Sequence, residues 1–146
     1  MENPAPQLGR TRLKVLMVED NATDAFVLQE VITEMGLDAE VEIVMNGDEA
    51  LRYIDRAGDC PALILLDLNL PKVSGFEVLK RLRASDKCGR TPVIVVSSSA
   101  AKSDKDASKE LGANAYFQKP ITLSEFLNLR PVIEKVLADP KTDFND

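Results

Sequence analysis

The chain has no histidine anywhere in its 146 residues. That absence excludes His-based catalytic triads, imidazole metal sites and a phosphohistidine carried on this chain. Cysteine is scarce too: Cys60 and Cys88 are the only two, and neither has a C-x-x-C partner. The expectation is a reduced pair in a cytosolic protein rather than a disulfide. Basic charge is outnumbered, with 18 Lys and Arg against 24 Asp and Glu and a net charge of −6. With no Lys/Arg stripe either, a nucleic-acid partner is not expected. No apolar run approaches the roughly 18 residues of a membrane span, and the N-terminus lacks an apolar signal core. A soluble, cytoplasmic protein without a membrane partner is the expectation. Chemistry on this chain must come from carboxylates, hydroxyls and lysine.

The richest stretch runs from Leu63 to Gly75, Leu-Ile-Leu-Leu-Asp-Leu-Asn-Leu-Pro-Lys-Val-Ser-Gly. Four unbroken apolar residues between Pro61 and a Pro/Gly loop read as a strand buried on both faces, as in the middle of a parallel sheet. In open parallel sheets ligands bind beyond the carboxyl ends of the strands, where Asp67 stands. Alone, Asp67 reads as a turn residue. But Leu13–Val18 is a second such run, ending in Glu19-Asp20-Asn21. Pro92–Val96 ends in Ser97, and Ala113–Gln118 ends in Lys119-Pro120. Acid, acid, hydroxyl and ammonium would converge on one edge of one sheet.

Between these runs lie helical patterns. Asn21 caps a helix over about 22–35, with Asp24 in its first turn, Ala25, Leu28, Ile32 and Met35 inward, and Gly36 as its stop. A half-buried or edge strand over about 40–45 follows, alternating Val41, Ile43 and Met45. Asn46 caps a helix over about 47–57, with Ala50, Leu51 and Ile54 inward. Ser74 caps one over about 75–84, with Phe76, Leu79 and Leu82 inward. The helix over about 100–111 is polar and should be the least firmly packed; Gly112 stops it. A last helix is predicted over about 123–137, with Phe126, Leu127, Ile133 and Val136 inward. Pro131 inside it predicts a kink near 127–130, or a restart with proline in the first turn. Five strand–helix repeats predict an α/β fold: a doubly wound five-stranded parallel sheet, flavodoxin-like (βα)5, with helices on both faces. Residues 1–11 read as a flexible arm, 12–138 as the domain and 139–146 as a polar tail, with no room for an output domain.

Glu19, Asp20 and Asp67 at neighbouring strand ends would repel one another unless protonated or joined by a cation. Oxygen ligands without His or Cys suit Mg²⁺, which favours phosphate oxygens. With Lys119 and Ser97 beside them, the set suits phosphoryl transfer onto the Asp67 carboxylate.

These motifs resemble receiver domains of two-component response regulators, over roughly Lys14 to Leu137. They are Glu19-Asp20-Asn21, the Leu-Asp-Leu-Asn-Leu-Pro-Lys-x-x-Gly loop, Ser97 followed by a small residue, and Lys119-Pro120. The resemblance implies that Asp67 is the phosphoacceptor. It implies that Asp20, Asp67 and the Asn69 main-chain carbonyl hold Mg²⁺, with Glu19 assisting through water. Lys119 would hold the phosphoryl group, and Ser97 and Tyr116 would be switch residues. It further implies a cis Lys119–Pro120 bond and a histidine kinase partner. The chain would catalyse only its own phosphorylation and slow autodephosphorylation. Val-Glu-Asp-Asn-x-x-Asp and Ala-Asn-x-Tyr-x-x-Lys-Pro are similar to stand-alone regulators paired with bacterial phytochrome kinases. A homodimer through the fourth helix, fifth strand and fifth helix is expected by the same resemblance. Ser97-Ser98-Ser99 departs from the more usual Leu-Thr-x-Ser of the family. It keeps the switch hydroxyl and loses a methyl.

Three alternatives fit the residues less well. A Mg²⁺-dependent aspartyl phosphatase of the haloacid dehalogenase type needs an acidic general acid two residues after the nucleophile, where this chain has Asn69. A flavodoxin-like cofactor binder needs Gly, Ser and Thr after the first strand, where this chain places carboxylates. An unphosphorylated docking receiver would not need the intact acidic pair and Lys119.

Overall fold

A computed structural model describes residues 12–56 and 58–140. The arm expected at 1–11, Ala57 and the tail from 141 lie outside the described residues. The strands are β1 (Leu13–Val18), β2 (Ala39–Val44), β3 (Leu63–Leu66), β4 (Val93–Ser97) and β5 (Ala115–Gln118). The helices are α1 (Ala22–Glu34), α2 (Gly47–Arg56), α3 (Gly75–Arg83), α4 (Lys102–Glu110) and α5 (Leu129–Ala138). All strand pairs are parallel, in the order β2-β1-β3-β4-β5. The order reverses beside β1, so the crevice of a doubly wound sheet opens between the carboxyl ends of β1 and β3.

Burial follows position in the sheet. β3 and β4 are buried at every residue, while edge strand β2 alternates. Alternate side chains of the central strands feed two cores. Leu16, Val18, Ile64, Leu66, Val93 and Val95 pack with Ala50, Ile54, Val78, Leu79 and Leu82 from α2 and α3. Val15, Met17, Leu63, Leu65, Ile94 and Val96 pack with Leu28 and Ile32 of α1 and with Phe126, Leu129, Ile133 and Val136. Helix α4 buries only Ser108, as its polar sequence requires.

The caps form as read. Asn21 Oδ1 accepts from Asp24 N at 2.9 Å, Asn46 Oδ1 from Glu49 N at 2.8 Å and Ser74 Oγ from Glu77 N at 3.3 Å. Gly36 and Gly112 take positive φ of 72° and 98° where α1 and α4 end.

Four expectations are corrected. Cys60 and Cys88 are joined by a disulfide. The α2–β3 and α3–β4 loops meet at the amino edge of the sheet and bring the two Cα atoms to 5.6 Å, within bridging reach. The Lys119–Pro120 bond is trans, since no peptide bond among the described residues is cis; trans is the intrinsic preference of X–Pro bonds. The break expected at Pro131 forms as a restart, with a 3₁₀ segment over Leu123–Asn128 and α5 starting at Leu129 with Pro131 in its first turn, but Leu127 does not face inward. The tighter turn shifts the facing of side chains, so Leu127 is exposed while Phe126 is buried. Met45 falls beyond the end of β2 and is exposed.

Candidate functional site

Parallel register brings the polar strand ends together. Val18 pairs with Leu66, so Glu19 and Asp67 leave the sheet side by side. Asp67 N donates to Val18 O at 3.0 Å and Glu19 N to Val44 O at 3.0 Å, holding both residues in extended backbone one step past the strands. Lys119 N donates to Ser97 O at 2.7 Å and delivers the lysine to the same edge.

The loop after Asp67 is shaped by two backbone features. Lys72 has φ of 70°, and Val73 N donates to Pro71 O at 2.9 Å, a tight three-residue turn that few side chains adopt. Gly75 opens α3 directly against the loop; a Cβ there would lie 2.2 Å from Asp67 O. Glycine is therefore required for α3 to dock against the Asp67 backbone.

Carboxylate oxygens of Glu19, Asp20 and Asp67 lie within 4.8 Å of one another. Glu19 and Asp67 are buried and Asp20 is exposed, so the cluster opens to solvent on one side. Lys119 Nζ lies 2.9 Å from Glu19 Oε1, 2.8 Å from Asp24 Oδ2 and 3.3 Å from Asp67 Oδ2. Burial pushes the Glu19 carboxyl up to about 7; Lys119 opposes the rise and Asp67 adds to it. Burial works against the Lys119 ammonium, but Asp24, Glu19 and Asp67 outweigh it and hold its pKa above the ordinary lysine range. Asn69 N donates to Asp67 Oδ1 at 3.2 Å and Asn21 N to Glu19 Oε2 at 3.1 Å.

The residues suit a divalent cation. Among the described residues Glu19 Oε1 is a buried oxygen without a hydrogen bond, with the lysine at ion-pair distance. An all-oxygen set with surplus negative charge and an orphaned acceptor fits a hard cation.

Ser97 and Tyr116 are placed differently. Ser97 is fully buried, and its Oγ accepts from Ser99 N at 3.1 Å. Tyr116 is buried, and its hydroxyl donates to Ser99 O at 2.8 Å. Both are tied to the β4–α4 loop. Ser99 Oγ in turn donates to Asp104 Oδ2 at 2.6 Å, joining that loop to α4. Asp24, in sequence a first-turn acid and the last residue of the Val-Glu-Asp-Asn-x-x-Asp motif, was not assigned to the site, and its partner Lys119 stands 95 positions away. The signal was available in the Asn21 cap, which fixes Asp24 in the first turn of α1, three residues after the Glu19-Asp20-Asn21 run ends.

Known proteins match this arrangement. Residues 15–129 match the response regulator receiver domain family. Response regulator Rcp1 of Synechocystis sp. is 36% identical over 133 residues, covering 88% of this chain and 90% of Rcp1. The solved Mn²⁺-bound form of Rcp1 superposes with a TM-score of 0.78 at 34% identity, covering 88% of this chain and 96% of that one. The phosphorylated cyanobacterial phytochrome response regulator RcpA superposes with a TM-score of 0.81 at 35% identity, covering 90% and 98%. The receiver domain of a Pseudomonas aeruginosa sensor histidine kinase, with magnesium coordinated in its active-site cleft, superposes at 0.74 and 26% identity, covering 88% and 100%. The phosphatase alternative finds no support among these relatives. Because the family match runs through every strand end that carries a site residue, the chain belongs to the response regulator receiver family of two-component signalling.

Proposed function

We propose that this chain is a stand-alone receiver whose Asp67 accepts a phosphoryl group from a histidine kinase, and that the kinase is of the phytochrome type. The observation that carries the reading is the convergence of Glu19, Asp20 and Asp67 within 4.8 Å with Lys119 3.3 Å from Asp67. An Asp67 carboxylate oxygen attacks phosphorus in line; the P–N bond of the kinase phosphohistidine breaks and the imidazole keeps the electron pair. The product is an acyl phosphate on Asp67. Asp20, Asp67 and the Asn69 carbonyl would hold Mg²⁺, with Glu19 assisting through water. The cation supplies positive charge to the phosphoryl oxygens. Lys119 supplies the second positive charge from the side of β5. Ser97 then turns from Ser99 N toward the phosphoryl group, freeing the loop that Tyr116 holds.

The phytochrome pathway rests on likeness to Rcp1 and RcpA. Residues 12–138 act as the receiver, the setting is cytoplasmic, and the chain's own catalysis is confined to taking up and slowly releasing the phosphoryl group. The switched face is α4–β5–α5, and a second copy is the partner it suits. Light scattering that finds a monomer before and after phosphorylation would remove the dimer.

The deciding experiment is mass spectrometry after exposure to acetyl phosphate, with and without Mg²⁺. The expected result is one added phosphoryl group, dependent on Mg²⁺ and absent in Asp67→Asn. Equal uptake by Asp67→Asn would overturn the assignment.

A further inference from the structure

Asp24 has no role in the reading above, yet it makes the shortest of the three Lys119 ion pairs, 2.8 Å against 2.9 Å to Glu19 and 3.3 Å to Asp67. It is well fixed. Its N–H is bound by the Asn21 cap at 2.9 Å, and the next residue, Ala25, is buried against the sheet. The pair is largely shielded, with 10% of the Lys119 side chain and 24% of the Asp24 side chain exposed.

An ammonium has three protons to place, and here three carboxylates face it. Two of them, Glu19 and Asp67, belong to the cluster that suits a divalent cation. Asp24 stands apart from that cluster, on α1. Once a dication engages Glu19 and Asp67, their attraction for the lysine falls and the dication repels it. A lysine carries a long, freely rotating stem, so an unanchored head would turn out to water. Asp24 is the carboxylate left to prevent this.

We infer that Asp24 is a positioning residue for Lys119, keeping the ammonium at the phosphoryl-accepting edge while the other two carboxylates serve the cation. The inference rests on the proposed function only for its effect on phosphorylation. Its structural core, retention of Lys119 by Asp24, is measured separately.

The test uses Asp24→Asn, which keeps shape and removes charge, and Asp24→Glu, which keeps charge. Lys119 is labelled with acetic anhydride and quantified by peptide mass spectrometry, with and without Mg²⁺. Phosphorylation by acetyl phosphate is timed in parallel, with Lys119 present and in a Lys119→Ala background. Lys119 should acylate about tenfold faster in Asp24→Asn than in the parent with Mg²⁺ present, and phosphorylation should slow by about tenfold. Asp24→Glu should retain most of the protection, and Asp24→Asn should add no further loss in Lys119→Ala. Unchanged labelling of Lys119 in Asp24→Asn would overturn the inference. So would equal labelling in the Asn and Glu variants, or an equal rate loss without Lys119, which would mean that Asp24 acts on the cation directly. Uptake of phosphate by Asp67→Asn would instead defeat the proposed function and leave the labelling result standing.

Discussion

The two edges of this sheet handle polar groups in opposite ways. At the amino edge, Arg83 leaves α3 half-buried and spends its donors on neutral acceptors. It donates to Gly112 O at 3.0 and 2.8 Å, Thr91 O at 2.7 Å, Gly89 O at 3.2 Å and Asn114 Oδ1 at 3.1 Å. Asn114 Oδ1 also accepts from Val93 N at 2.8 Å, and the Cys60–Cys88 bridge ties the neighbouring loops. At the carboxyl edge, Glu19, Asp24 and Asp67 crowd one ammonium, and among the described residues a buried carboxylate oxygen is left without a hydrogen bond. Satisfied polar groups stabilise a fold, whereas unsatisfied ones store a preference for something not yet bound. The amino edge is built for stability and the carboxyl edge for ligand and phosphoryl chemistry, as expected where local rules are broken at functional sites.

The sharpest way to break this contrast is Asp20→Ala. Removing an exposed member of the acid cluster should cut Mg²⁺-dependent phosphorylation by at least about a hundredfold, some 2.7 kcal/mol or more on the barrier. The metal-free melting midpoint should rise slightly, because repulsion is relieved. Undiminished phosphorylation would sink the division of labour. The converse change is reduction of Cys60–Cys88. The bridge spans a sequence separation of 28, for which the loss should be about 3–4 kcal/mol in urea unfolding. Phosphorylation by acetyl phosphate should change less than about twofold, since the bridge lies at the other edge. A large kinetic effect would show that the edges are coupled.

The pH dependence of the metal-free protein reads out the strain at the carboxyl edge. Folding raises the Glu19 carboxyl from 4.5 to about 7, with burial as the main cause. Between those values the folded state holds more protons than the unfolded state, so stability falls as pH rises from about 4.5 to about 7 and then levels off. The drop should be roughly 3 kcal/mol, and Glu19→Gln should flatten it. A profile that rises through this window in the parent protein would contradict the burial argument. At the amino edge, Arg83→Ala leaves several carbonyls without their donor and should cost about 2 kcal/mol at any neutral pH, with phosphorylation retained. A loss that tracks pH would mean that a charge pair, and not carbonyl satisfaction, holds that edge.

What was legible in the sequence follows the same divide. The fold could be read because Leu63–Leu66 and Val93–Val96 are too apolar for any place but the middle of a parallel sheet. Caps at Asn21, Asn46 and Ser74 then set where the helices begin. Glu19, Asp20, Asp67 and Lys119 were legible because parallel strands must end at one edge. The disulfide, the Arg83 contacts and the Asp24–Lys119 pair were not. Each depends on which loops or helix ends meet in space, and no local period encodes that. The exposure of Leu127 was hidden for another reason: a 3.6-residue period was assumed across a segment that turns every three residues.

Pro131 is the smallest of these effects and tests whether that last point is understood. An interior proline removes a backbone donor and clashes with the preceding turn, at about 3 kcal/mol. Here α5 begins at Leu129, so Pro131 sits in the first turn, where backbone donors lack partners within the helix anyway. The break is absorbed by the 3₁₀ segment, which still buries Phe126. Beyond it, Ile133 and Val136 keep α5 seated on the sheet. Relief of the clash should therefore be worth little. Alanine would lose the entropy advantage of the fixed φ in the unfolded chain and gain helix propensity, two small terms of opposite sign. Pro131→Ala should change stability by less than about 0.5 kcal/mol. A gain approaching the interior-proline figure would mean that the apolar residues on both sides favour one continuous helix and that proline alone holds them in two pieces.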